Sequence, residues 1–347
     1  MTAQSIPIRQ LGRNGPKVPA LGLGMLALAG AYGTRPSDEE RFEILDNALA
    51  LGETFWDTAD IYGDSEEMIG RWFKRTGKRD EVFVATKFGN VMDGPQFKGM
   101  DSSGECCKKS CYKSLNNLGI DCIDLFYVHG LNPDTPIEET MRALVELQSE
   151  GKIKHIGLCG LSSNTLRRAC RIAPVAAIQV EYSPFMLNIE REAGTHLLST
   201  CRELGVSVVC YSPLGRGMLT STFADNNVVI AGADIRSAWI PRFKKENLDA
   251  NVGLAKQFKV FADKKGCTAS QLALAWLLKQ GNDIVPIPGT KSIKYLEDNV
   301  GATHIDLTDE EVAEVRKFVE GVQVAGERHA PEGSDYDYVD TKAEAQV

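Results

Sequence analysis

The chain alternates short apolar runs with longer segments whose apolar residues recur every three or four positions. The short runs predict strands at Ala20–Leu23, Thr54–Trp56, Val82–Ala85, Ile123–Val128, Ile153–Gly157, Ala177–Val180, Ser207–Cys210 and Asp283–Pro286. The longer segments predict helices over Asp38–Leu51, Asp64–Arg75, Gly104–Leu118, Ile137–Glu150, Ser163–Arg171, Gly194–Leu204, Glu246–Lys265, Ser292–Val300 and Asp309–Val319. Thr268–Lys279 is an extra helix before the eighth strand. Ser37 reads as the N-cap of the first helix, and Thr308 with Glu311 as a capping box on the last. Ahead of these, two apolar stretches flank Arg13-Asn14-Gly15, and Asn-Gly is a strong hairpin signal.

Eight strand–helix units in series predict a parallel sheet. Eight such units close naturally into a (β/α)8 TIM barrel, here with an N-terminal β-hairpin, long loops after strands 3 and 7, and extra C-terminal helices. A doubly wound open sheet is the alternative. The length of 347 residues allows about two domains at roughly 150 residues each. The strand count instead predicts one barrel domain over 1–347, with its core in 6–321. The surplus sits near Gly89–Met100 and in Leu214–Lys245. The tail, 325–347, is polar, carries Pro331 and Gly333, and is expected to be partly mobile.

Gly22-Leu23-Gly24-Met25-Leu26-Ala27 matches the dinucleotide fingerprint GxGxxA. That fingerprint needs a helix opening at the glycines and an acidic residue ending the next strand. Here Gly30, Gly33 and Pro36 follow, and Glu43 and Asp46 fall inside the first helix. Small residues lining a barrel mouth fit the run better.

The 39 Lys and Arg against 47 Asp and Glu give a net charge of −8, which argues against an electrostatic nucleic-acid binder. The cysteine count of 9 is odd and contains no CxxC, so neither a disulfide framework nor a metal site is read. Met1–Gln10 lacks the basic start and apolar core of a signal peptide. The longest uncharged run, Val18–Thr34, is too short and too rich in glycine to span a membrane. A cytoplasmic protein with no membrane partner is expected. No heptad or extended apolar surface points to an oligomeric state.

In a (β/α)8 barrel, reactive residues come from the C-terminal ends of several strands. Read in order, those ends carry Asp57, Lys87 and His129, with Tyr62 in a short loop. Singly, each has a plain structural explanation as a cap, a surface charge or a packed ring. At three successive strand ends they read together as a site.

The runs WDTADIYG, ATKFG, IDLFYVHG, IQVEYSPF, YSPLGRG and VPIPGTK…LEDN, in that order and spacing, resemble the aldo-keto reductase superfamily from Ile8 to about Ala325. Val324-Ala325-Gly326-Glu327-Arg328 looks like a branch of microbial and fungal members. The resemblance implies an NADP-dependent oxidoreductase that reduces an aldehyde or ketone by hydride transfer, with a tetrad of Asp57, Tyr62, Lys87 and His129. A phenol has a pKa near ~10, and a neighbouring ammonium from Lys87 lowers it. Asp57 would hold that ammonium, His129 would orient the carbonyl oxygen, and Tyr62 would be the general acid or base.

The resemblance also implies cofactor contacts. Gln179 would bond the carboxamide and Tyr211 would stack on the nicotinamide. Ser212, Leu214 and Arg216 would cover the pyrophosphate. Gly289, Thr290 and Lys291 open the eighth helix, where phosphate is favoured, and Lys291 would pair with a 2′-phosphate. Asp298 and Asn299 match adenine-side contacts. Met25, Tyr32, Trp56, Phe88 and the Leu214–Lys245 loop are the expected substrate wall.

The sequence departs from the family pattern twice. Cys159-Gly160 stands where many members have Ser followed by Asn or Glu, and a thiol is a weaker hydrogen-bond partner than a hydroxyl. Tyr295 stands where some have arginine, so NADP preference leans on Lys291 with Lys294. The competing function is a nucleotide-sensing regulatory subunit on the same fold with little turnover.

Overall fold

The computed structural model describes residues 5–94, 96–227, 230, 234–329 and 336–344. Among them, eight parallel strands form one sheet in the order β12-β11-β10-β9-β8-β5-β4-β3. These strands are β3 (Leu23–Gly24), β4 (Phe55–Asp57), β5 (Phe83–Phe88), β8 (Ile123–Val128), β9 (Ile153–Cys159), β10 (Ala177–Glu181), β11 (Ser207–Tyr211) and β12 (Ile284–Pro286). The first and last strands meet. Gly22 N–H donates to Pro286 O at 3.0 Å and Gly24 N–H to Pro288 O at 3.1 Å, closing the (β/α)8 barrel. A Cβ on Gly24 would lie 2.8 Å from Ile287 O, so the GxG run serves barrel closure.

Along the strands, side chains alternate between the barrel interior and the helix layer. Phe55, Ala85, Leu125, Tyr127, Cys159, Val209 and Val285 fill the interior. The outward set packs on the helices α1 (Asp38–Ala50), α2 (Ser65–Thr76), α3 (Gly104–Leu118), α4 (Ile137–Ser149), α5 (Ser163–Ile172) and α6 (Leu197–Leu204), and on later helices from α9 (Lys245–Lys265) onward. The hairpin β1 (Ile8–Gln10) and β2 (Lys17–Pro19) adds Leu11 and Val18 to the interior. The capping boxes at Ser37/Glu40 and Thr308/Glu311 both form.

Three expectations are corrected, and the described part of the tail is placed. The first strand is Leu23–Gly24 rather than Ala20–Leu23, because Ala20 N–H is taken by Pro7 O of the hairpin strand region. The sixth helix begins at Leu197 rather than Gly194, because Thr195 and His196 turn left-handed at φ 54° and 51°. The surplus after strand 3 is a hairpin, β6 (Asn90–Asp93) with β7 (Gln96–Met100), rather than a plain loop. The described part of the tail packs on the barrel. Val339 pairs with Leu161 after β9, and Arg168 donates to Thr341 O at 2.6 Å. Pro331 and Gly333 lie outside the described residues.

All nine cysteines are free thiols. No helix among the described residues is long and apolar enough to cross a membrane.

Candidate active site

The parallel register brings the strand ends together. Asp57 ends β4 beside Ala85 of β5, and Lys87 lies beside Tyr127 of β8, one pleat before His129. Lys87 Nζ donates to Asp57 Oδ1 at 2.5 Å and to Thr58 O at 2.7 Å. Both side chains are buried. Gln179, at the same depth on β10, donates Nε2–H to Asp57 Oδ2 at 2.7 Å. The loop after β4 continues the ladder through Asp60 N–H to Lys87 O and then turns, which lays the Tyr62 ring over the lysine. Lys87 Nζ is 5.0 Å from the Tyr62 ring centre, and the Tyr62 and His129 rings are 5.8 Å apart, edge to face.

Burial pulls the Lys87 pKa down, but the adjacent Asp57 carboxylate outweighs it and holds the ammonium above its ordinary range. Burial lifts the Asp57 carboxyl, against Lys87 and Gln179. For Tyr62 burial also comes first and raises the phenol, with Lys87 opposing it. The expected lowering by Lys87 is therefore present but is overcome by desolvation. Burial, reinforced by the Lys87 charge, drives His129 well below the ordinary histidine value, which favours the neutral imidazole. Its Nδ1 is buried and has no partner among the described residues.

Asp57, Tyr62 and His129 sit on a cavity of ≈ 970 Å³ at the C-terminal mouth of the barrel, and Lys87 lies behind them. Every expected cofactor residue lines the same cavity. Gln179 and Tyr211 are near the floor at strand ends. Ser212, Leu214 and Arg216 form a tight turn in which Ser212 and Arg216 take φ 46° and 55°. Gly289, Thr290, Lys291, Asp298 and Asn299 complete the wall from β12 into α11 (Ile293–Gly301).

Across the cavity, Tyr32 bridges Asp234 of the long strand-7 insertion, and Ile235 N–H donates to Ala31 O at 3.0 Å. Lys291 Nζ reaches back to Tyr32 O at 2.8 Å and Thr34 O at 3.1 Å.

Of the four expected substrate contacts, Met25 and Tyr32 line the cavity. Trp56 and Phe88 do not. Trp56 is fully buried against Trp72, with ring centres 4.8 Å apart, and donates to Glu53 O at 2.8 Å. Phe88 is stacked on Phe126 at 5.1 Å in the helix-facing layer. Each neighbours an inward residue, Asp57 or Lys87, and strand alternation sends it outward. Conversely, Asn90 and Met100 of the β6–β7 hairpin and Arg328, His329, Tyr336, Asp337 and Tyr338 of the tail line the cavity. Sequence reading missed them as site residues; the tail motif ending in Arg328 was the available signal.

The aldo/keto reductase family profile matches residues 20–320. The chain belongs to the aldo/keto reductase family. It is 48% identical over 334 residues to aldo-keto reductase str7 of Strobilurus tenacellus, covering 95% of this chain and 96% of that one. It is 45% identical over 342 residues to aldo-keto reductase yakc [NADP(+)] of Schizosaccharomyces pombe, covering 97% and 98%. Among solved structures, it is similar to the glycerol dehydrogenase AKR11B4 from Gluconobacter oxydans (TM-score 0.78, 27% identity, 95% of this chain and 99% of that one). It is also similar to the thermostable aldo-keto reductase Tm1743 in complex with epalrestat (TM-score 0.71, 28% identity, 90% and 100%).

Proposed function

We propose that this chain reduces an aldehyde or ketone to the alcohol with NADPH, an activity of the alcohol dehydrogenase (NADP+) type. One observation carries the reading: a buried Asp57–Lys87 ion pair lies directly beneath the Tyr62 ring, with His129 at its edge, on the floor of a dinucleotide-sized cavity. Bound NADPH supplies the hydride to the carbonyl carbon.

Tyr62 gives its proton to the carbonyl oxygen. Its raised pKa keeps it protonated at neutral pH, as an acid requires. Lys87 stands ready to stabilise the phenolate left behind, and Asp57 holds Lys87 charged. Neutral His129 orients the carbonyl oxygen beside Tyr62.

The cofactor residues fit a nicotinamide dinucleotide. Because Gln179 Nε2 is committed to Asp57, its carbonyl oxygen is the acceptor left for the carboxamide N–H. Tyr211 presents its ring to the same floor, and Lys291 supplies a cation for a 2′-phosphate. NADPH oxidation with a panel of aldehydes and ketones tests the reading. Wild type turns over and Tyr62→Phe does not; equal rates in both would overturn the role of Tyr62.

A further inference from the structure

The run Val324–Arg328 has no part in the chemistry above, yet Ala325, Gly326 and Arg328 are each held in place. Ala325 exchanges two hydrogen bonds with buried Asn251 of α9, at 2.9 and 3.0 Å. Gly326, at φ 82°, slots against the backbone of Pro241 and Arg242; a Cβ there would lie 2.9 Å from Arg242 N. The chain is thereby delivered onto the barrel mouth at Arg328.

The Arg328 guanidinium donates to Glu181 Oε2 at 2.5 Å, to Asp337 Oδ2 at 2.6 Å and to the Tyr211 hydroxyl. Glu181 and Tyr211 are register partners at the ends of β10 and β11. Asp337 belongs to the returning segment of the tail. Two residues on, Val339 N–H donates to Gly160 O at 2.8 Å, and Ser162 N–H donates back to Val339 O at 3.0 Å. A side chain at 160 would strike Tyr336 O at 2.8 Å, so the Gly160 that departs from the family pattern is what lets the arm dock. The arm therefore spans the ends of β9, β10 and β11, which carry Cys159, Gln179 and Tyr211.

We propose that Arg328 is a positioning residue that couples this arm to Tyr211, so that docking of the arm and binding of the nicotinamide cofactor are a single linked equilibrium. The inference rests on the cofactor reading above. Glu181 is buried, and its carboxylate stays ionised against desolvation because Arg328 faces it, with Arg216 and Arg242 behind. Undocking the arm takes the Arg328 ion pair and hydrogen bond from that buried carboxylate and leaves it only the longer-range attraction of Arg216 and Arg242, which is unfavourable. It also strips the Tyr211 hydroxyl of its donor and frees the ring that the cofactor needs fixed. A ligand that fixes Tyr211 must then favour the docked arm, and the docked arm must favour the ligand to the same extent.

The test uses the full-length protein. NADPH affinity is read by fluorescence titration, and arm docking by hydrogen exchange in the peptide 336–342. NADPH is expected to slow exchange there in wild type. Arg328→Leu is expected to raise the NADPH Kd about tenfold, the scale of a hydrogen bond to a charged group, and to abolish that slowing. Arg328→Lys recovers part of both.

In a Tyr211→Phe background, the further loss from Arg328→Leu shrinks below about twofold, since coupled residues are not additive. Gly160→Ala, which disturbs the other anchor and leaves Arg328 intact, raises the Kd in the same direction, and thermal melts of both variants check that neither effect is a folding defect. A wild-type Kd in Arg328→Leu, or fully additive losses in the double variant, overturns the coupling. NADPH binding in wild type with unchanged exchange of the arm also overturns it while leaving the cofactor reading intact. Wild type that binds no NADPH overturns both.

Discussion

Lys87 Nζ and Asp57 Oδ1 lie 2.5 Å apart with both side chains buried, so the ion pair under the site has no solvent to fall back on. Removing one partner strands the other. Asp57→Asn is expected to cost about 3–5 kcal/mol of stability, because it leaves the Lys87 ammonium uncompensated. Replacing the pair together by Leu and Met is expected to cost less than Asp57→Asn alone. Urea denaturation of wild type and the two variants measures both.

The pH profile of reduction follows from Tyr62 and His129. Tyr62 is raised by burial, and His129 lies well below its ordinary range. Reduction is expected to show no step near the ordinary histidine value of about 6.5 and to fall only on the alkaline side, as Tyr62 loses its proton. Rates of kcat/KM measured from acid to alkaline pH check this; an acidic limb that disappears in His129→Gln would contradict it.

Asp60, in the turn before Tyr62, is lifted to about 7 by burial and by Glu66 beside it. Its Oδ1 is buried with no partner among the described residues. Its folded pKa exceeds the unfolded value of about 3.9, so the native state holds the proton longer. Stability therefore falls as pH rises from about 4 to about 7, by roughly 4 kcal/mol at most. Asp60→Asn is expected to flatten that slope in denaturant titrations at a series of pH values.

Lys291 bonds the carbonyls of Tyr32 and Thr34 across the cavity. Lys291→Met is expected to weaken NADPH binding about tenfold while changing NADH binding little, since only NADPH carries a 2′-phosphate. Paired titrations with the two nucleotides decide it.

Trp56 packs on Trp72 in the helix-facing layer. Trp56→Phe is expected to lower stability by roughly 1–2 kcal/mol and to leave KM for carbonyl substrates unchanged. A large shift in KM with unaltered stability would return Trp56 to the substrate wall.

The sequence by itself determined the element order and the strand ends on which Asp57, Lys87 and His129 stand. Both are local properties: apolar periodicity sets the elements, and the parallel β/α repeat puts all strand ends on one face. Alternation along β4 and β5 also held the information that sends Trp56 and Phe88 outward, once Asp57 and Lys87 point in. The tertiary structure alone decided what roofs the site. Arg328 meets Tyr211 across 117 positions and Glu181 across 147. Lys291 reaches the carbonyl of Tyr32 across 259. No local pattern encodes such pairs. They exist because the closed barrel brings distant loops to one mouth, where a buried charge must find its partner wherever in the chain it lies.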